Sequence, residues 1–230
     1  MAGASEVEAV VFDVLGTMVD EPGGLRAALR EAVPEADAAS VGHLLTVWQE
    51  HVEHEIGRIG AKERPYADSG VLDREAAERV AEHAGLTDVD AVARLATAGR
   101  RLPPWDDSVT GLARLAERFP VLGLSNASRA SLLRLNAYAG LRWHQALSAE
   151  DAWAYKPAPE VYRLALGAAG CPPERVLMVA AHAWDLRGAQ AVGMLTAYVR
   201  RPVGDPPRGS DAFDWAVDGL AELAAVLAPE

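Results

Sequence analysis

The chain has 230 residues, half of them apolar and 24% charged, the proportions of a soluble globular protein long enough to bury a core of its own. Its 33 acidic and 22 basic residues leave a formal charge of −11, which argues against a nucleic-acid partner but not against a local pocket for a small anion. The one cysteine, Cys171, excludes an internal disulfide. With no basic-flanked apolar leader and no apolar run near the ~20 residues of a membrane span, the expectation is a cytoplasmic protein that makes no membrane contact.

Taken in chain order, Val7–Val14 reads as a strand that ends on Asp13 and runs into Gly16-Thr17. From Pro22 to Arg101 no strand is legible. This stretch reads as helices over Gly24–Val33, Ala36–Ile56, Leu72–Ala84 and Asp88–Arg100, stopped by Leu102-Pro103-Pro104. Beyond it, strands over Val121–Ser125, Gln145–Ser148, Val176–Ala180, Leu195–Arg200 and Asp214–Val217 alternate with helical patterns over Ser108–Arg118, Arg129–Tyr138 and Pro159–Ala169. The strands are apolar almost throughout instead of alternating, as strands covered on both faces are. Strand–helix–strand repetition means an α/β fold with a parallel, doubly wound sheet. Residues 1–20 and 102–230 are expected to form this Rossmann-like core, and 21–101 an inserted helical subdomain. Arg201–Gly209, rich in Pro and Gly, reads as a surface loop.

Ligands of doubly wound sheets bind beyond the carboxyl ends of the strands. Those ends carry Asp13 and Thr17, then Ser125-Asn126, then Lys156 after the third strand, then His182, Trp184 and Asp185 after the fourth. Each is ambiguous alone. Asp-x-x-Gly-Thr also suits a turn, Ser-Asn a helix cap, Lys156 a solvated charge, and Asp185 the cap of a helix over Leu186–Val192. Their joint occurrence at one sheet edge, in this order, points to a reaction site.

In that order FDVLGT, LSN, YKPAPEVY and HAWDLRGA resemble the motifs of the haloacid dehalogenase (HAD) superfamily, over nearly the whole chain. KPxPxVY and the Ala-Trp-Asp tripeptide resemble the type II 2-haloacid dehalogenases more than the superfamily's phosphatases. The resemblance implies that Asp13 displaces halide from carbon and forms an ester that water then hydrolyses, giving a 2-hydroxy acid. It makes Lys156 the cation that keeps Asp13 ionised, Thr17 and Asn126 the residues that fix its carboxylate, and Asp185 the residue that orients Lys156 or the hydrolytic water. Leu15, Gln49, Ser125, Tyr162, His182 and Trp184 become substrate-pocket positions, although helical spacing equally suits Tyr162 as a core aromatic and Trp184 as generic packing. A small anionic substrate and a homodimer are implied as partners.

Leu15 bears on the branch. The phosphatases place there the aspartate that protonates their leaving oxygen, and leucine cannot donate a proton. Where they commonly carry a Mg²⁺-binding aspartate, this chain has Ala181; no metal or other cofactor is expected. Two further positions depart from the dehalogenase pattern. Gln49 stands where an arginine follows a tryptophan, with Arg58 two turns on as a possible substitute, and Ala180-Ala181-His182 replaces Ser-Ser-Asn. Loss of that arginine would cost a charge-assisted contact of about 1–3 kcal/mol. Two other readings stay open on these residues: a HAD-type phosphatase, and a catalytically weak protein that keeps the fold.

Overall fold

The computed structural model describes residues 6–227, so residues 1–5 and 228–230 of the expected core lie outside the described residues. Strands β1 (Ala9–Asp13), β2 (Val121–Ser125), β3 (Gln145–Ser148), β4 (Val176–Ala180), β5 (Leu195–Val199) and β6 (Trp215–Val217) form one sheet in the order β3-β2-β1-β4-β5-β6. Every pairing is parallel. β1 is central, and the order reverses beside it, between β1 and β4; this is where a doubly wound sheet opens a crevice.

The alternation along β1 shows why the strand must be apolar on both sides. Val10 and Phe12 join a core with Leu112 and Leu115 of helix α5 (Ser108–Ala116), Leu132 and Leu135 of α6 (Arg129–Ala139), and Leu220 and Leu223 of α9 (Leu220–Leu227). Ala9 and Val11 face the other layer, with Val161 and Tyr162 of α7 (Pro159–Ala169) and Leu186 and Ala189 of α8 (Ala183–Gln190). Successive side chains of a strand point to opposite faces, so two covered faces leave no polar position.

Between β1 and α5 come α1 (Glu21–Ala32), α2 (Ala38–Gly60), α3 (Ser69–Ala84) and α4 (Val89–Leu95). They bury their apolar faces largely against one another, around Leu29, Leu44, Trp48, Val80 and Leu95. α1 begins earlier than its apolar spacing suggests because the Asp20 carboxylate accepts from Gly23 N–H at 2.9 Å and Pro22 is preset for a first turn. The helix expected over Asp88–Arg100 ends at Leu95. A separate 3₁₀ turn covers Ala98–Arg100, after the Thr97 hydroxyl donates to Arg94 O at 3.0 Å. The Pro/Gly segment 201–209 runs over the surface but is tied down at its middle. Asp205 N–H donates to Ala181 O at 3.2 Å and Ala183 N–H to Asp205 O at 2.8 Å, which ties the segment to the chain leaving β4.

Candidate active site

β1 ends on Asp13, and the next residues turn back beneath it. Gly16 takes φ +77°, and a Cβ there would stand 2.5 Å from the His182 ring, so glycine is required for both reasons. The turn delivers Thr17, whose hydroxyl donates to Asp13 Oδ2 at 2.5 Å and accepts from Ala181 N–H at 2.9 Å. Two distant residues pin this turn from outside. Trp105 Nε1–H donates to Gly16 O at 3.1 Å, and Arg201 Nε–H to Thr17 O at 2.9 Å while its guanidinium pairs with Asp107 at 2.7 Å.

Lys156 is the centre of the cluster. Its ammonium, 1% exposed, lies 2.6 Å from Asp13 Oδ1, 2.6 Å from Asp185 Oδ2 and 3.3 Å from Leu124 O. Three donor hydrogens thus meet three acceptors, as a buried ammonium requires. The Lys156 backbone N–H donates to Asn126 Oδ1 at 2.9 Å. Asn126 thus holds the lysine's backbone in place. Asp185 lies within the first turn of α8, whose N-cap is His182, so it does not cap that helix. Its other oxygen accepts from the Tyr162 hydroxyl at 2.6 Å. Tyr162 fills both roles that its spacing allowed: its ring is fully buried among core residues, and its hydroxyl passes over Gly188, where any Cβ would come within 2.4 Å, to hold Asp185.

The charges are set by these contacts. Burial would raise the Asp13 carboxyl, but Lys156 and His182 overcome it and hold Asp13 well below the usual carboxylate range. Burial would likewise lower Lys156, and the two carboxylates raise it instead, so it stays an ammonium. Burial raises Asp185 despite Lys156. His182 puts Nδ1 3.3 Å from Asp13 Oδ2; burial disfavours its charge, yet the bond to Asp13 pushes the imidazole above its ordinary value. Trp184 flanks the cluster, its ring 6.0 Å from Lys156 Nζ and 5.8 Å from the His182 ring, and its backbone N–H donates to Asp205 Oδ2 at 3.1 Å.

Ser125 is fully buried, and its Oγ accepts from Ala127 N–H at 3.1 Å, which leaves its own proton to donate. Leu15, partly buried, packs against the core beside Asp13. Gln49 is not part of the cluster: it is exposed on α2 and bonds to none of these groups. Arg58, the other cation considered for that place, is paired with Glu55 at 3.2 Å. Sequence reasoning missed Trp105, Arg201 and Asp205. Only contact across 89, 184 and 21 residues reveals them, and no local pattern signals it.

Tyr162→Phe removes one hydrogen bond from a buried, charged Asp185. The expected result is a loss of about 1–3 kcal/mol in stability, read by denaturant unfolding, with weakened positioning of Lys156.

A family model described as haloacid dehalogenase-like hydrolase matches residues 7–193, and the chain belongs to the haloacid dehalogenase-like hydrolases. Within them it is similar to (S)-2-haloacid dehalogenase 1 of Pseudomonas sp. (strain CBS-3), 31% identical over 96% of each chain. The (S)-2-haloacid dehalogenase of Pseudomonas sp. (strain YL) is 28% identical over 96% of this chain and 94% of its own. The L-2-haloacid dehalogenase of Xanthobacter autotrophicus, solved with chloropropionic acid covalently bound, superposes with a TM-score of 0.83 at 27% identity, over 96% of this chain and 98% of that one.

Proposed function

We propose that this protein hydrolyses the carbon–halogen bond of small 2-haloalkanoic acids to 2-hydroxy acids through an ester on Asp13. The observation that carries the reading is the Asp13–Lys156–Asp185 arrangement, in which one buried ammonium sits 2.6 Å from both carboxylates. It keeps Asp13 ionised and supplies its countercharge from the protein itself. Leu15 beside it offers no proton, which suits a leaving group that departs as halide. The Xanthobacter relative, solved with chloropropionic acid covalently bound, supports a covalent intermediate.

In the first step an Asp13 oxygen attacks C2 of the substrate opposite the halogen. The new C–O bond forms as the carbon–halogen bond breaks, and halide leaves with the bonding pair. In the second, water attacks the Asp13 carboxyl carbon, the acyl C–O bond breaks, the 2-hydroxy acid leaves with one proton of that water, and the other proton passes to solvent as Asp13 returns to its carboxylate. Displacement inverts C2 and hydrolysis does not touch it, so the net outcome is inversion. Thr17 and Lys156 hold the Asp13 oxygens, and Asp185, braced by Tyr162, holds Lys156. In this reading His182 guides the hydrolytic water and Ser125 donates to the substrate carboxylate. Helices over 21–101 act as a cap over the site. The same reading carries a homodimer working in the cytoplasm, which light scattering and cell fractionation test.

The functional test is free-halide release from chloroacetate, bromoacetate, fluoroacetate and 2-chloropropionate. Halide is expected from at least one of them, unchanged after exhaustive chelation with EDTA, with no phosphate released from a generic phosphate ester. Halide from none of the four, or activity that EDTA abolishes, contradicts the proposal.

A further inference from the structure

The two oxygens of Asp13 are not equivalent. Among the described residues Oδ1 meets one donor, the Lys156 ammonium at 2.6 Å. Oδ2 meets two groups, the Thr17 hydroxyl at 2.5 Å and His182 Nδ1 at 3.3 Å. Thr17 has its hydrogen free for this bond, because its oxygen accepts from Ala181 N–H at 2.9 Å. An ionised carboxylate only accepts, so the His182 nitrogen that faces Oδ2 carries its hydrogen in the neutral ring as in the charged one. The ring is held in place between Gly16, where a Cβ would stand 2.5 Å from it, and the Trp184 ring at 5.8 Å.

A carboxylate oxygen offers two in-plane lone pairs. On Oδ2 both are engaged; on Oδ1 one is left to bond to carbon. We propose that Oδ1 is the attacking atom, and that Thr17 and His182 form the hole for the oxyanion that Oδ2 becomes when the ester is hydrolysed. The proposal rests on the dehalogenase reading above.

The steps balance. Oδ1 bonds to C2 and halide leaves with the carbon–halogen pair, so Oδ2 becomes the ester carbonyl oxygen. Water then adds to Cγ, and the carbonyl π pair moves onto Oδ2, where two hydrogens already point. The pair returns as the Cγ–Oδ1 bond breaks. The 2-hydroxy acid takes Oδ1 and one proton of the water, the other proton passes to solvent, and the water oxygen stays in Asp13. Donors of this kind act strongly when they are fixed in advance and shielded from water. Thr17 is fully buried and the His182 side chain is 20% exposed. In its neutral form His182 keeps Nε2 as an acceptor for the water assigned to it above.

The test separates the two chemical steps in a single turnover of 2-chloropropionate. His182→Phe keeps a ring but no donor. It is expected to release halide within about tenfold of the native rate and to lose hydrolysis by about 10²-fold or more, so that the ester on Asp13 accumulates in the intact-protein mass. His182→Asn puts an amide N–H where Nδ1 stands and is expected to keep hydrolysis within about tenfold of native. No ester in His182→Phe, halide release slowed as much as hydrolysis, or a stalled ester in His182→Asn overturns the proposal. A second measurement uses the native protein and needs no turnover: ¹⁵N NMR of histidine-labelled enzyme, with the His182 signals identified by their loss in His182→Asn. A neutral ring with its hydrogen on Nδ1 upholds the proposal, and a hydrogen on Nε2 overturns it. Failure of the dehalogenase reading shows separately, as no halide and no ester from the native enzyme.

Discussion

Lys156→Met is expected to lower kcat at least ~10³-fold and to destabilise the protein by about 3–5 kcal/mol, the cost of leaving buried charge unpaired. The two effects have one origin. Asp13 and Asp185 are 5% and 0% exposed, and the ammonium between them is 2.6 Å from each. Without it, two carboxyl groups share a dry site with no cation, and the protein relieves the repulsion by taking up a proton. A protonated Asp13 is a poor nucleophile, so activity falls with the stability. The pH dependence follows in sign. In the native protein the Asp13 carboxyl is held below its unfolded value, so its contribution to stability is complete above about pH 4 and is lost on acidification. In the variant that carboxyl is raised instead, so the destabilisation is larger in mild alkali than in mild acid. Denaturant unfolding at two pH values reads both statements; equal losses at both contradict them.

Asp13→Asn is expected to abolish halide release, by roughly 10⁴-fold or more, while the fold persists. The amide is nearly isosteric with the carboxylate, and its oxygen can still accept from Thr17 or Lys156. It carries no charge with which to displace halide. Here stability and activity separate, as they do not for Lys156, because Asp185 remains as a countercharge for the ammonium. A variant that keeps more than about a hundredth of native turnover, free of contamination, would assign the displacement to another group.

Much of this was legible in the residues. Strands apolar throughout fixed their burial on both faces, and chain order then placed Asp13, Ser125, Lys156 and Asp185 at one sheet edge. What was not legible depends on approach between distant segments. Nothing in RPVGDPPRG indicates that Arg201 reaches Thr17 O or that Asp205 holds Trp184 N–H, because each contact needs the finished sheet to bring the partners together. The contact of Asn126 was not legible for a related reason: the residue lies just past a strand end, and only geometry shows that its oxygen meets the Lys156 backbone. Gln49 follows the buried Trp48 in sequence but points away from the site, because successive residues on a helix face different directions.

The most direct test of the covalent mechanism is a single turnover of excess enzyme with 2-chloropropionate in H₂¹⁸O. If water attacks the Asp13 ester at its carboxyl carbon, the label enters the Asp13 carboxylate and the first lactate formed carries unlabelled oxygen from the protein. Mass spectrometry of the Asp13 peptide and of the product is expected to show that distribution. Label in the first-turnover lactate with none on Asp13 would mean that water attacks the substrate directly, and would contradict the account.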